Sequence, residues 1–422
     1  MNNVVGAELI RLRREFHQCA ETGWLEFETT VKIITYLKEM GLEVNYGKKL
    51  HGERLGLPSK EIMEAHRRSL QDLKVDFPIE EILEGYTGAT ALLDTGRPGP
   101  TVALRFDIDC NGVEEAKENH RPYIENFASK NPGMTHACGH DGHIAMGLMV
   151  IKELLASREQ MKGKILFIFQ PAEEGVRGAR SMVEAGILKG VDFCLSGHIG
   201  FMGKKNQIVC GVGGFYATNK LDISFYGQPA HAGASPELGK NALLAGANCA
   251  LNLHTLTQIS GGASRINVGT FHAGTARNVV PAEARLEVET RGEIQEINDA
   301  LMARVFEVIE GSAKMYDVRY ETKLVGSAPA YHYKKNEFQS YVLELLKELD
   351  LDLAEGADLG ASEDVSYMLR AVEEAGGKAL YFVFGAERTA PHHSSNFDFS
   401  EEALENGYRC YVKTVTDLLK IE

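Results

Sequence analysis

The stretch THACGHDGH, Thr135 to His143, places three histidines, a cysteine and an aspartate within nine residues of a chain that has only 14 histidines and 7 cysteines in 422. Thiolate and imidazole together suit zinc and other transition ions. Cys138 and His140 are separated by one glycine, so in a looped backbone both can face one ion. Read alone, the stretch fits equally well a loop with one buried cysteine and solvated histidines. The adjacent carboxylates Glu173 and Glu174 of QPAEEG offer two roles, one as metal ligand and the other as general base. Glutamates are also favoured at a helix N-terminus by the helix dipole. His198 in SGHIG, and His392 and His393 in PHHSSNF, add nitrogen donors. Cys, His, Glu, His and His exceed what one tetrahedral ion needs. A pair of ions about 3.5–4 Å apart with one shared ligand uses them all.

These residues must be brought together by elements far apart in sequence. The patterning predicts two helices within Val4–Met40, with a turn at Gly23, and a charged helical insert over about 50–83. Strands are predicted at TGATALLDTG, TVALRFDID, GKILFIFQ and VDFCLSGHIG, with a helix over Ile144–Ser157. Each candidate ligand then follows a strand. Strands alternating with helices indicate an α/β domain with a mainly parallel sheet, where ligands bind at the carboxyl ends of strands. Near Gly213 the pattern changes to β-α-β-β-α-β, a split βαβ or ferredoxin-like unit. After Pro329 the αβ character returns, with a buried strand at ALYFVFG. The expected organisation is a metallo-catalytic domain over residues 1–212 and 330–422, interrupted by an inserted α+β lid or dimerisation domain over 213–329.

Composition bounds the function. The length exceeds what one hydrophobic core usually supports. The net charge of −14 gives no support to a nucleic-acid role. No apolar run is long enough to span a membrane. An odd number of scattered cysteines fits a reducing cytoplasm.

The motifs HACGHDGH, FQPAEEG, GHIG, GQPAHAGASPELGKNAL, TARNVVPAEARLEVETRG and ASEDVS occur in an order that resembles M20-type metallopeptidases and amidohydrolases. They are most similar to the branch with indole-acetyl-amino-acid and hippurate amidohydrolases. The resemblance covers nearly the whole chain. It implies two divalent ions, manganese or zinc, held by Cys138, His140, Glu174, His198 and one of the last two histidines, with Cys138 bridging. In that pattern a histidine stands four residues before an aromatic residue, which selects His393 with Phe397. Glu173 matches the general base, and Asp109 a carboxylate that orients ligands. His143 and His136 are candidates for supporting roles. Some two-metal relatives have His-x-Asp where this chain has Asp107, so Asp107 is not expected to ligate. His231 matches a residue that stabilises the oxyanion, often from a partner subunit. Asn278 and Arg291 match positions that bind a free substrate carboxylate.

The resemblance implies hydrolysis of a small N-acyl-amino acid, with glutamate as the released amine, by a homodimer or a heterodimer with a related subunit. Hydrolases with another acyl group, and aminoacyl peptidases, are alternatives. Rivals of another class are a redox sensor built on Cys138 and a non-catalytic partner subunit. The second sits poorly with an intact Glu173 and a complete ligand set.

Overall fold

The runs TVALRFD and KILFIFQ are buried at nearly every position, as strands covered on both faces must be. The computed structural model describes residues 3–70 and 75–421. In chain order the first elements are α1 (Asn3–Gln18), α2 (Phe27–Glu39), β1 (Glu43–Tyr46), α3 (Lys60–Ser69), β2 (Ala89–Asp94) and β3 (Thr101–Asp107). There follow α4 (Arg121–Ile124), α5 (His140–Ala156), β4 (Lys164–Gln170), α6 (Gly178–Glu184), β5 (Phe193–Ile199) and β6 (Gln207–Gly213). A second set comprises β7 (Ala217–Tyr226), α7 (Ala242–Leu253), β8 (Ser264–Ala273), β9 (Glu283–Gly292), α8 (Gln295–Met315) and β10 (Arg319–Ala328). The chain ends with α9 (Glu337–Leu346), β11 (Asp352–Asp358), α10 (Ser366–Glu374), β12 (Lys378–Phe384) and α11 (Glu402–Leu418).

Two compact units result. One comprises Met1–Gly213, His332–Leu359 and Tyr367–Glu422, the other Gly214–Tyr331 and Gly360–Ser366. The first unit is built on an eight-stranded sheet in the order β1-β2-β4-β3-β5-β12-β6-β11. The four central strands β4, β3, β5 and β12 are mutual neighbours and run parallel. Their carboxyl ends therefore share one edge of the sheet. The loops that leave this edge carry Asp109, Glu173 and Glu174, and His392 with His393, and His198 is the penultimate residue of β5 at the same edge.

Helix α5 is buried over most of its length and packs against β3, α1 and α11. Its first turn is held by a buried ionic network. Arg13 of α1 bonds Asp141 (2.8 Å) and Asp398 (2.7 Å), and His17 bonds Asp141 (2.7 Å) and Glu115 (2.9 Å). Glu115 also meets His120 at 2.9 Å.

The second unit has an antiparallel sheet in the order β10-β7-β9-β8. Burial alternates along β9, and Leu286 and Val288 pack with Leu301, Val305 and Ile309 of α8 and with Cys249 and Leu253 of α7. Asn241 caps α7 by accepting from the Leu244 amide.

Two expectations are corrected. Gly360–Ser366 groups with the second unit, because Gly360 donates to the Gly214 carbonyl and Tyr216 to that of Ala361. The insert over 50–83 is helical mainly at Lys60–Ser69, where Ser59 caps the first turn. Single 3₁₀ turns stand on either side, at Lys48–Leu50 and Ile82–Glu84. Gly52, Gly56, Pro58 and Pro78 interrupt the rest, and residues 71–74 lie outside those described.

Candidate metal and catalytic site

His140 is the first residue of α5 rather than part of a loop. Gly139 makes this possible. Its φ of 96° is left-handed, so the chain reverses between Cys138 and the helix start. His140 Nδ1 donates to the Asp109 carbonyl at 2.9 Å, so Nε2 is the nitrogen that can offer a lone pair to an ion once its proton is displaced. His198 repeats the arrangement, with Nδ1 donating to the Ile199 carbonyl at 2.7 Å and Nε2 lying 3.4 Å from Cys138 Sγ.

The donor atoms converge. Cys138, His140 and His198 form one group and Cys138, Glu174 and His393 another, each with its ligand atoms within 4.8 Å of one another. His140, Glu173 and Glu174 form a third. Cys138 is common to the first two, the arrangement a shared thiolate requires. His140 Nε2 is buried without a hydrogen-bond partner, which is costly unless another group satisfies it. Burial opposes charge on His140, but Asp107 and Asp109 outweigh it and push its pKa up to about 10. Glu174 is part-buried, which opposes its charge, yet His393 and His140 hold its pKa down at about 2. The surroundings thus favour positive charge beside an ionised carboxylate. A thiolate, imidazoles and a carboxylate, with one orphaned buried imidazole nitrogen, fit a pair of divalent ions.

The two terminal histidines separate clearly. His393 has a left-handed φ of 67°, donates its amide to the Ala137 carbonyl, and brings Nε2 to 3.2 Å from Glu174 Oε1. His392 instead stacks on Phe201, with centroids 4.1 Å apart, and its Nδ1 lies 2.8 Å from Arg388. His143 and Asp107 lie within ligand distance of His140, but both nitrogens of His143 are already engaged. Its Nδ1 bonds Asp107, and its Nε2 accepts from the Ile199 amide at 3.0 Å. Asp107 in turn bonds Arg105. This chain of contacts fixes the strand end that carries His198. His136 is buried with both ring nitrogens unpartnered and belongs to none of these groups.

Glu173 and Glu174 lie on a tight loop whose backbone is held from several sides. Asp109 accepts both of their amides, at 3.1 and 2.9 Å. Glu26 accepts from the Ala172 amide at 2.7 Å. Arg177 donates to the Glu174 carbonyl at 2.8 and 3.2 Å. Ala172, Gly175 and Val176 all have positive φ, an arrangement that persists only where neighbours over-determine it.

In the second unit, His231 and Asn278 are neighbours. His231 pairs with Val279, and the Asn278 carbonyl accepts from the Ala232 amide at 3.0 Å. The His231 ring does have a turn-capping role, since Nδ1 accepts from the amides of Gly233 (3.1 Å) and Ala234 (3.0 Å). That bonding assigns the proton to Nε2, leaving an exposed donor. Arg291 lies elsewhere. It sits near the far end of β9, opposite Thr218 and Arg265, and its Nε bonds Glu289 at 2.5 Å. The β8–β9 connection with Asn278 is at the other end of that strand, roughly 25 Å away at about 3.3 Å per residue.

The family model for peptidase family M20/M25/M40 matches residues 103–417. The chain belongs to this family. Within M20, it is 40% identical to a homolog, from Haemophilus influenzae, of one subunit of p-aminobenzoyl-glutamate hydrolase, over 98% of each chain. It is 42% identical to an indole-3-acetyl-aspartic acid hydrolase of Enterobacter agglomerans, over 94% of this chain and 92% of that one. An aminobenzoyl-glutamate utilization protein from Klebsiella pneumoniae has the same fold, with a TM-score of 0.82 at 36% identity, covering 99% of this chain and 96% of that one. The M20 motifs mark the ligand types but not Glu26 and Arg177, which touch only backbone at this loop. The turn ETGWLE carries a faint signal of Glu26, since a carboxylate beside Trp24 and Leu25 in an apolar setting needs a partner.

Proposed function

We propose that this chain is a metal-dependent amide hydrolase that cleaves N-acyl-amino acids, with p-aminobenzoyl-glutamate as the preferred substrate. The observation that carries the reading is the sharing of Cys138 between two ligand groups, with Glu173 in a third beside them. Names of relatives at 40–42% identity support the acyl-amino-acid class. Cys138, His140, Glu174, His198 and His393 would hold the ions, manganese or zinc, which when bound would supply a Lewis acid for the carbonyl and a more acidic water. Glu173 takes the proton of the attacking water and delivers it to the leaving amine as the C–N bond breaks. His231 donates from Nε2 to the developing oxyanion. Asn278 and Arg291 receive the substrate carboxylate.

The separation of Arg291 from His231 and Asn278 supports a dimer in which different chains supply them to one substrate. A homodimer meets this need. So does a heterodimer, which the word subunit in one relative's name brings into consideration. Among the described residues no helix is long and apolar enough to cross a membrane.

The test is dialysis against a chelator, verification of metal loss, and assay with p-aminobenzoyl-glutamate, indole-acetyl-aspartate and hippurate before and after adding manganese or zinc. Loss and recovery of hydrolysis are expected. Full activity in verified metal-free protein would overturn the reading.

A further inference from the structure

The inserted segment before β2 is stitched to the loop that carries Glu173 and Glu174. Arg177 is the principal stitch. Its Nη1 donates to the Gly56 carbonyl at 2.8 Å, while Nε and Nη2 donate to the Glu174 carbonyl. One guanidinium thus spans the insert and the backbone of a candidate ligand. The grip is close. A Cβ on Gly23 would come within 2.4 Å of Arg177 Nη2 and 2.9 Å of Ala172 Cα, so only glycine leaves room there. The insert also holds the Glu21–Glu26 turn from the other side. His66 bonds Glu21 at 2.7 Å, and the Trp24 indole donates to the Leu55 carbonyl at 2.7 Å. The same turn supplies Glu26 to the Ala172 amide.

The loop needs such holding. Left-handed backbone at Ala172 and Val176 is costly for residues with a Cβ and relaxes when its restraints go. Asp109 restrains the loop amides, and Arg177 restrains the Glu174 carbonyl.

We infer that Arg177 is a positioning residue for Glu173 and Glu174, and that the inserted segment acts as its anchor. The inserted segment is then a working brace of the site. This rests on the proposed hydrolase reading for its effect on turnover. Its effect on metal binding and loop mobility does not.

The variants are Arg177→Ala and Arg177→Lys. A lysine ammonium can reach one carbonyl but cannot bridge both with a planar fork. Three readouts are needed: metal affinity by competition with a chromophoric chelator, hydrogen exchange of the 172–178 amides in metal-free protein, and kcat and KM at saturating metal. Loss of an outer partner of a metal site typically costs about 10–100-fold in affinity or activity, and that range is expected for both variants. KM should stay close to the parent value, exchange over 172–178 should quicken, and millimolar methylguanidinium should partly restore Arg177→Ala. If Arg177→Ala fails to fold, Arg177→Lys decides. Metal affinity and loop exchange that match the parent would overturn the inference, as would losses that only track a lowered melting temperature without rescue. If the parent hydrolyses no acyl-amino acid, the functional reading falls, while metal affinity and exchange still decide the brace.

Discussion

Replacing Asp109 with asparagine should loosen the loop that carries the two glutamates while leaving the fold intact. Asp109 is fully buried, and its two carboxylate oxygens accept the amides of Glu173 and Glu174. Asparagine keeps the shape but offers one oxygen and one NH₂ group. The NH₂ then faces an amide that is itself a donor, and one buried N–H loses its acceptor at about 1–3 kcal/mol. The surviving bond changes from charge-assisted to neutral and roughly halves in strength. A combined loss of about 2–3 kcal/mol, drawn from loop position, is roughly 30- to 150-fold in metal affinity or turnover. The assay is chelator competition for metal affinity, with kcat/KM on an acyl-glutamate at saturating metal and a thermal melt as control. Parental affinity and kcat/KM in a folded Asp109→Asn protein would refute the argument that these two bonds set the position of the loop.

Glu173→Gln should lower kcat by about 10²–10⁴-fold and retain metal, whereas Glu174→Gln should weaken metal binding; the reverse pattern in metal analysis would show that the two roles are exchanged. His231→Ala and Arg291→Ala should each be impaired alone, and mixing them with subunit exchange should restore activity, because one site of each mixed dimer then has both residues intact. No recovery in verified mixed dimers would place both residues in one chain's site or outside it. Glu115 is partly shielded from water, which opposes its charge, but hydrogen bonds from His120 and His17 outweigh this and hold its pKa down at about 2. A lowered acid pKa contributes stability above the unfolded value near 4.5 that is lost as pH falls towards 2. Denaturant unfolding at about pH 6 and about pH 3.5 should therefore show a smaller acid loss in Glu115→Gln than in the parent, and equal losses would rule out this source.

Much of the candidate site was legible because its residues are chemically rare. Cys138, His140 and His198 stand out by type, and buried apolar runs before Glu173 and His198 mark the strands that deliver them. The inserted β-α-β-β-α-β unit was legible because strands such as β9 alternate strictly and α8 keeps helical periodicity for 21 residues. Strand β11 left little trace, since DLAEGAD is an exposed edge with few apolar residues. Strand β1 is only four residues long. The helical role of His140 was hidden because its helix opens after a glycine rather than after a capping side chain. The placement of Asn278 and Arg291 beyond opposite ends of the 283–289 stretch of β9 is a matter of register and direction, which their sequence spacing does not reveal.

The position of β12 in the large sheet has a consequence for the order in which the protein can be made. This strand lies between β5 and β6, yet it is the last strand in the chain. The ribosome therefore releases all four strands of the inserted unit before it releases the strand that joins the two halves of the large sheet. The inserted unit has its own core and can condense while the remainder is still being translated. Until β12 arrives, β5, with Phe193, Cys194, Leu195 and Ile199, and β6, with Ile208, Val209, Cys210 and Val212, each present an unpaired apolar edge, the kind of surface that recruits other chains. A premature stop before Lys378 would leave the inserted unit sound and the large sheet divided. The cell would then receive an aggregating fragment rather than a weakened enzyme.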